Sequence, residues 1–456
     1  MSFIPGSLSS AARALEAQSY ALEVTGQNLA NINTPGYARR TVNFAEVPPT
    51  DPLNAGGGVT AAGVTAQRAV LVEARLWHEQ PGASEQGAIA DNLSVVQTAL
   101  GTNGTTIDKQ LSDFFDAFSG LAQDPTSQTA RFQVAAKGQS LSQAFNAVSA
   151  RLTTARTDAD TQVRAGVDQV NALAAQLASI NTSLGGAGDA AAETLKDQQS
   201  NVLQSLSQLV DFSAIQHVDG SVDVSIGNGR ALVAGANVYK VAATSAGPQG
   251  FATLVTGGFD ISGEISGGSI GGQLRVRDTL IPGYVNSLDQ LAYGVATSVN
   301  TAHQAGYDLS GAPGGAFFAP LATSAGAAAA ISVSAAIVSN TSLVAAAGTA
   351  PAGDNQTARA IANLRSAPLA GGGTPLDGWS SLVYRVGSDV QAAQQEQTSR
   401  GDVITQLQNL RDQTSGVSMD EEAAAMIKFQ RAYEANARFF SAVNQSFDTL
   451  ITMVTR

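Results

Sequence analysis

The sequence predicts a mainly α chain carrying a β-rich insertion. It is elongated and nested, with its N- and C-terminal helices paired as a coiled coil. Three observations predict this. Apolar residues recur every seven positions at both ends, Thr126 to Leu184 holds a helical pattern without proline, and alternating strands with a Gly-Asn-Gly turn follow Asp211. The expected order is a terminal assembly unit (1–45 with 415–456), an antiparallel helical bundle (46–210 with 272–316 and 355–414), and an outer β domain (211–271 with 317–354).

At the N-terminus Leu8, Leu15, Leu22 and Leu29 are seven apart, and Ala12, Ser19, Gly26 and Asn33 follow each by four. Large residues on one seam and small ones on the other let a second helix approach closely. Pro35 stops the helix, and Pro35-Gly36 favours a type II turn. Asn28 and Asn31 share a helix face and either bridge to a partner or cap and turn the chain.

After a Gly-rich linker (Gly56 to Gly58), Val59 to Gln67 alternates as a strand. Helices are expected at Ser84–Leu100 and Ile107–Leu121, then from Thr126 to Leu184, either continuous or broken near Thr153 to Asp160. Leu195, Val202 and Leu209 mark a further helix. Val222 to Ile226 and Arg230 to Val233 flank Gly227-Asn228-Gly229 as a hairpin. Leu274 to His303 is helical with a kink or restart at Pro282-Gly283. Residues 317–350 read as irregular or β, with Ile331-Ser332-Val333-Ser334 as a half-buried strand, and helices return at Ala358–Leu364 and Val386–Leu410.

The last helix repeats the pattern of the first. Met419, Met426, Tyr433, Phe440, Phe447 and Val454 form one seam; Ala423, Gln430, Ala437, Asn444 and Ile451 form the other. Ser418 and Glu421 fit a capping box, and Asp420, Glu421 and Glu422 suit the positive end of the helix dipole. The polar seam residues Gln430 and Asn444 fit an intramolecular or an intersubunit pairing, since buried amides can fix register at some cost in stability. Neither terminal helix can bury its stripe alone, so the two pack together and offer what remains to neighbouring subunits. An ordinary intramolecular coiled coil fits the pattern as well.

Composition narrows the chemistry. Charged residues are 14% and aromatics 6%, leaving little material for charged active sites. The net charge of −12 repels phosphates and anionic lipid, so neither nucleic-acid binding nor membrane insertion is expected. Ala325 to Ala347 lacks charge but is too rich in Ala and Ser to insert. With no cysteine, zinc–thiolate sites, iron–sulfur clusters, disulfides and thiol catalysis are excluded. The start lacks the basic and apolar blocks of a cleavable secretory signal. His78, His217 and His303 are isolated, so no metal or other cofactor is expected.

The run Asn28-Leu29-Ala30-Asn31-Ile32-Asn33-Thr34-Pro35-Gly36-Tyr37 resembles the N-terminal signature of bacterial flagellar axial proteins. Its C-terminal partner is matched by Ser415-Gly416-Val417-Ser418-Met419-Asp420-Glu421-Glu422 and by Lys428 to Ala437. Inside, Ile180-Asn181, Ile226-Gly227-Asn228-Gly229, Ile265 to Gly272, Arg277-Asp278, Val299-Asn300, His303 and Gly306-Tyr307-Asp308 resemble the hook-associated branch of that family. The resemblance implies a subunit of the extracellular flagellum, exported through the flagellar channel and set at the hook–filament junction. Its implied partners are further copies of itself, the hook protein, a second hook-associated junction protein and an export chaperone on the C-terminal helix. The expected assembly interface comprises Leu8, Leu15, Leu22, Asn28, Leu29, Asn31, Pro35, Gly36, Tyr37, Met426, Gln430, Tyr433, Phe440, Asn444, Phe447 and Ile451.

Two other readings remain. The terminal motifs fit a hook or distal rod protein equally. Gly267-Gly268-Ser269-Ile270-Gly271, with Asp278 or Asp289 and then His303, matches the residue order of a serine hydrolase. The long helices upstream are not the strand–helix alternation that a nucleophile elbow needs, so the expectation is a structural protein, not an enzyme.

Overall fold

The structure, a computed structural model, describes residues 3–48, 57–101, 106–350, 353–369 and 372–454. Gly56 of the expected linker lies outside the described residues. Helix α1 (Phe3–Ala30) turns into an antiparallel hairpin of β1 (Arg40–Glu46) and β2 (Val59–Ala66). Four helices follow: α2 (Val70–Leu100), α3 (Ile107–Gln123), α4 (Gln128–Leu184) and α5 (Asp189–Leu209). A four-stranded antiparallel meander comes next, of β3 (Phe212–Gln216), β4 (Val222–Ile226), β5 (Arg230–Ala234) and β6 (Asn237–Val238). Beside it stands a three-stranded sheet of β7 (Ala242–Thr244), β8 (Thr253–Thr256) and β9 (Phe259–Asp260).

The chain then returns to helix. α6 (Gly268–Arg275) runs through a π turn (Val276–Leu280) into α7 (Ile281–Gln304). Short helices α8 (Ala327–Ala330) and α9 (Ala335–Ser339) lie in a long connection to α10 (Gln356–Asn363). α11 (Pro375–Ser415) starts at a capping box of Thr374 and Asp377, and α12 (Met419–Val454) closes the described chain. The mainly α chain with a β insertion thus stands as expected.

α4 is the spine. Its 57 residues form one unbroken helix, about 85 Å long at 1.5 Å per residue, so the break considered near Thr153 is absent. Its first half joins α2, α3, α7, α10 and α11 around one core. Its second half, from Val163, joins α5, α6 and both sheets around another. Between the two, Asp160 accepts from Arg277 Nη1 (2.6 Å), Arg164 Nε (2.8 Å) and the Ala252 amide (2.7 Å). Burial pushes the Asp160 carboxyl up, but these bonds outweigh it and hold it below the usual range.

Several residues that carry the family resemblance are backbone staples. Asn181 on α4 donates to the Val222 and Gly235 carbonyls (2.9 Å each) and accepts from the Val222 amide, pinning the β4–β5 hairpin. Asn300 on α7 exchanges two bonds with the backbone of Phe318. The glycines of 267–272 are not a loose turn but a close-packed crossing. A Cβ on Gly271 would strike the Ser266 backbone, and one on Gly272 would strike the Glu85 carbonyl of α2.

The segment 317–354 departs from expectation. Its described part packs in the bundle core, not with the sheets, and only a single bridge, Phe318 to Val333, remains of the expected strand. The cause is aromatic. Phe317 and Phe318 are fully buried against Phe114, with ring centroids 5.5 and 5.6 Å away, and such pairs add about 0.5–1.5 kcal/mol each beyond area burial. Asp289 also accepts from the Gly326 and Ala328 amides. No described helix is long and apolar enough to cross a membrane.

His303, fully buried, holds the same segment. The Ala345 amide donates to Nε2 (2.8 Å), so Nδ1 carries the proton and donates to the Gly315 carbonyl (2.7 Å). Burial, aided by Arg131 and opposed by Gly315 and Asp308, lowers its pKa to about 4. The unfolded state therefore takes up a proton first as pH falls. Stability from this neutral imidazole is complete above pH ~6.5 and is lost down to pH ~4, by about 3 kcal/mol. Urea midpoints of wild type and His303→Asn between pH 7 and 4.5 check this: wild type should fall more steeply, and equal slopes would refute it.

Candidate assembly junction of the chain ends

α1 and α12 pack antiparallel, with Asn28 near the end of one beside Glu422 near the start of the other. α1 has a second neighbour that sequence reading missed, the β1–β2 hairpin: Arg13 Nη1 donates to the Gly57 carbonyl, and Gly58 lies against Ser10. The fully buried face of α1 is therefore Ala17, Ala21, Val24, Thr25 and Asn28, with Ala11. Leu8, Leu15, Leu22 and Leu29 are half-buried, while Ala12, Ser19 and Asn33 of the expected small seam are exposed. Small side chains admit the close backbone approach of two neighbours; the longer leucines stand at its edge.

On α12, Met426 and Phe440 are half-buried, but Gln430, Tyr433, Asn444, Phe447 and Ile451 are exposed. Gln430 and Asn444 therefore do not set register as buried amides within the single chain. Phe429 instead meets Phe44 of β1, with ring centroids 6.2 Å apart.

The amide that is buried is Asn28, at 1% exposure. Its Nδ2 donates to the Arg40 carbonyl (2.8 Å) and to Glu422 Oε2 (2.9 Å). Its Oδ1 accepts from Tyr37 Oη (2.9 Å) and the Arg40 amide (3.0 Å). All four bonding positions of the side chain are thus used. Asn31 takes the other role, capping: it donates to the Gln27 carbonyl and accepts from Thr34. The turn that carries the chain on from Asn31 to Arg40 needs Gly36, at φ +77° and against Asn201 of α5; Pro35 offers its carbonyl to the same Asn201 (3.5 Å).

Charges extend the cluster in both directions. Arg39 reaches Glu422 (2.7 Å) and Glu421 (2.9 Å), so Glu421, the expected partner of Ser418 in a capping box, pairs with Arg39. Arg40 and Arg68 both bind Asp197 of α5 (2.8 and 2.6 Å), and Arg68 also binds Glu193 (3.2 Å). The Arg40 guanidinium lies 4.9 Å over the Tyr37 ring. Burial raises the Tyr37 pKa, opposed by Arg40 and aided by Asp197 and Glu422, so its hydroxyl stays protonated and donating. Ser415, between α11 and α12, accepts from the Ala69 amide and the Arg39 amide (2.9 Å each). One polar cluster thus joins both ends of the chain to α2 and α5. Neither Arg39, Arg40 and Arg68 nor Glu193 and Asp197 stood out in the sequence, since their partners lie over 100 residues away.

The elements of the hydrolase order do not converge. His303 spends both ring nitrogens and Asp289 both carboxylate oxygens on backbone, while Asp278 pairs with Arg277. Ser269 lies half-buried beside Gln162, Gln208 and Gln273. Among the described residues, no group of three or more acidic or imidazole side chains could hold a metal ion.

Three family models match: "Flagellar hook-associated protein FlgK helical domain" over 93–318, "Flagella basal body rod protein" over 8–37, and "Flagellar basal body rod FlgEFG protein C-terminal" over 411–453. Flagellar hook-associated protein 1 of Escherichia coli is 26% identical, over 98% of this chain and 99% of its own. That of Bacillus subtilis is 28% identical over 97% of each. The Escherichia coli alignment needs 545 positions, so that relative has residues this chain of 456 lacks. The solved flagellar hook junction protein FlgK from Burkholderia pseudomallei shares the fold with a TM-score of 0.66 at 15% identity, covering 75% of this chain and all of its own. End motifs, helical body and near full-length relatives agree: the chain belongs to the flagellar hook-associated protein 1 family.

Proposed function

We propose that this chain is a non-catalytic structural subunit that assembles on the distal end of the flagellar hook and provides the base on which the filament grows. The observation that carries the reading is the cluster around Asn28, which joins both ends of the chain and turns them into one rigid unit on the body. That unit presents exposed Ile427, Tyr433, Phe439 and Leu450 along α12, an apolar load that a helix pair alone does not cover. The interface residues named from the sequence, apart from Asn28, which is buried inside the cluster, are read as facing neighbouring copies, the hook protein and a second junction protein. The ends form the inner layer, the bundle the body, and the two sheets the outer decoration. Export through the flagellar channel requires the same apolar stripe to be shielded beforehand, and a chaperone on α12 meets that need.

Deletion of the gene tests the reading. Complete hooks without filaments, and unpolymerised flagellin in the medium, are the expected result. Loss of hooks would move the protein to the hook or rod, and normal filaments would overturn the reading. For the chaperone, the chain lacking 415–456 should fail to pull it down; undiminished binding would displace that site.

A further inference from the structure

We propose that the free tip of α12 docks, in the assembled state, into a groove between α2 and α11 of a second copy of this chain. The inference rests on the reading of the chain as an axial subunit and adds a specific contact to it. The groove measures about 730 Å³ and is lined by apolar Leu71, Val72, Ala74, Val403 and Leu407 and by polar Arg75, His78 and Glu79. Leu71 is 83% exposed, which is extreme for a leucine beside other apolar residues. The exposed Arg75 guanidinium makes no ion pair among the described residues, whereas the neighbouring Glu79 lies within reach of Arg400.

The tip complements it. Asn28 beside Glu422 sets the register of the antiparallel pair. Counting 25 residues back from Asn28 to Phe3, and as many forward from Glu422, reaches Phe447. Beyond that level α12 continues uncovered by the described part of α1. Phe447 and Leu450 are exposed there at i and i+3, a step of the spacing by which a helix anchors in a groove, and Met453 is exposed beyond them. Asp448, on the flank of that stripe, is the only charge between Phe439 and Met453, and it is opposite in sign to Arg75.

The occupant cannot be the chain's own tip. The groove lies on the first turns of α2 and the last part of α11, next to the Ser415–Ala69 bond at the cluster. Met453 lies 31 residues along a continuous helix from Glu422, about 46 Å away. The tip of α12 and a groove about one helix length away are different surfaces of the same chain, so their contact is head-to-tail and propagates along rings or helical assemblies.

The native chain has no cysteine, so a pair can be introduced cleanly. Leu450→Cys is combined with Leu71→Cys, or with Val403→Cys as a second groove position, in the full chain expressed in its source bacterium. Isolated flagella are treated with a short bismaleimide and run on a denaturing gel. The expected result is a ladder of dimers and higher multimers for the double variants and only monomer for each single variant. An unchanged monomer band from flagella that contain the chain, or adducts only to another flagellar protein, would overturn the docking contact alone. Absence of the native chain from isolated flagella would overturn the junction reading beneath it.

Discussion

Asn28→Leu should release both chain ends from the body and abolish filament growth while leaving the helical bundle folded. The leucine is close in size, so the effect is polar. It strands the amide and carbonyl of Arg40, the Tyr37 hydroxyl and one oxygen of Glu422, a carboxylate only 2% exposed. Each buried group left unpaired costs about 1–3 kcal/mol, and since Arg39 still holds Glu422 the total should be about 3–5 kcal/mol. Hydrogen exchange would read this directly: the Arg40 amide and the first turns of α12 should exchange at least a hundredfold faster, with α4 unchanged. Unaltered exchange at Arg40 would show that the cluster does not hold the ends.

Gly268→Ala should be a severely damaging single-methyl substitution. Gly268 sits at φ +73°, and an added Cβ would lie well inside contact distance of the Leu209 carbonyl and the Val210 amide. Both neighbours are backbone at the end of α5, so no rotamer change relieves the clash. Left-handed backbone costs a non-glycine residue about 1–2 kcal/mol, and overpacking adds about 1–3 kcal/mol. Gly263→Ala is the control, with no atom within 4 Å of its Cβ and no positive φ; such open sites change stability by about 0.5 kcal/mol or less. Urea midpoints of the two variants should therefore diverge strongly. A Gly268→Ala midpoint equal to that of Gly263→Ala would mean that the α5–α6 crossing is looser than its geometry implies.

These two sites show how unevenly the fold could be read from sequence. β4 at Val222–Ile226 emerges with its expected bounds because alternation and the Gly-Asn-Gly turn are local. α2 begins at Val70, not Ser84, because packing across α6 and α11 carries the helix through Pro81. The hydrolase-like glycine string could not be resolved by pattern, since what it contacts, Leu209 and Glu85, is remote in the chain.

Element types, the heptads of both ends, their pairing, the Pro35-Gly36 turn and the family signature follow from local chemistry: side-chain periodicity, the missing amide of proline and the conformational freedom of glycine. Three-dimensional packing settled the rest. It chose Ala17, Ala21 and Val24 over the leucines as the buried face of α1, because a hairpin as well as a helix presses on it. It gave Asn28 the bridge and Asn31 the cap, because only Asn28 faces Arg40 and Glu422. It drew 317–346 to the bundle, because Phe317 and Phe318 find Phe114 there. Burial and ion pairing depend on neighbours hundreds of residues apart, and no local pattern in one sequence encodes which of those neighbours will meet.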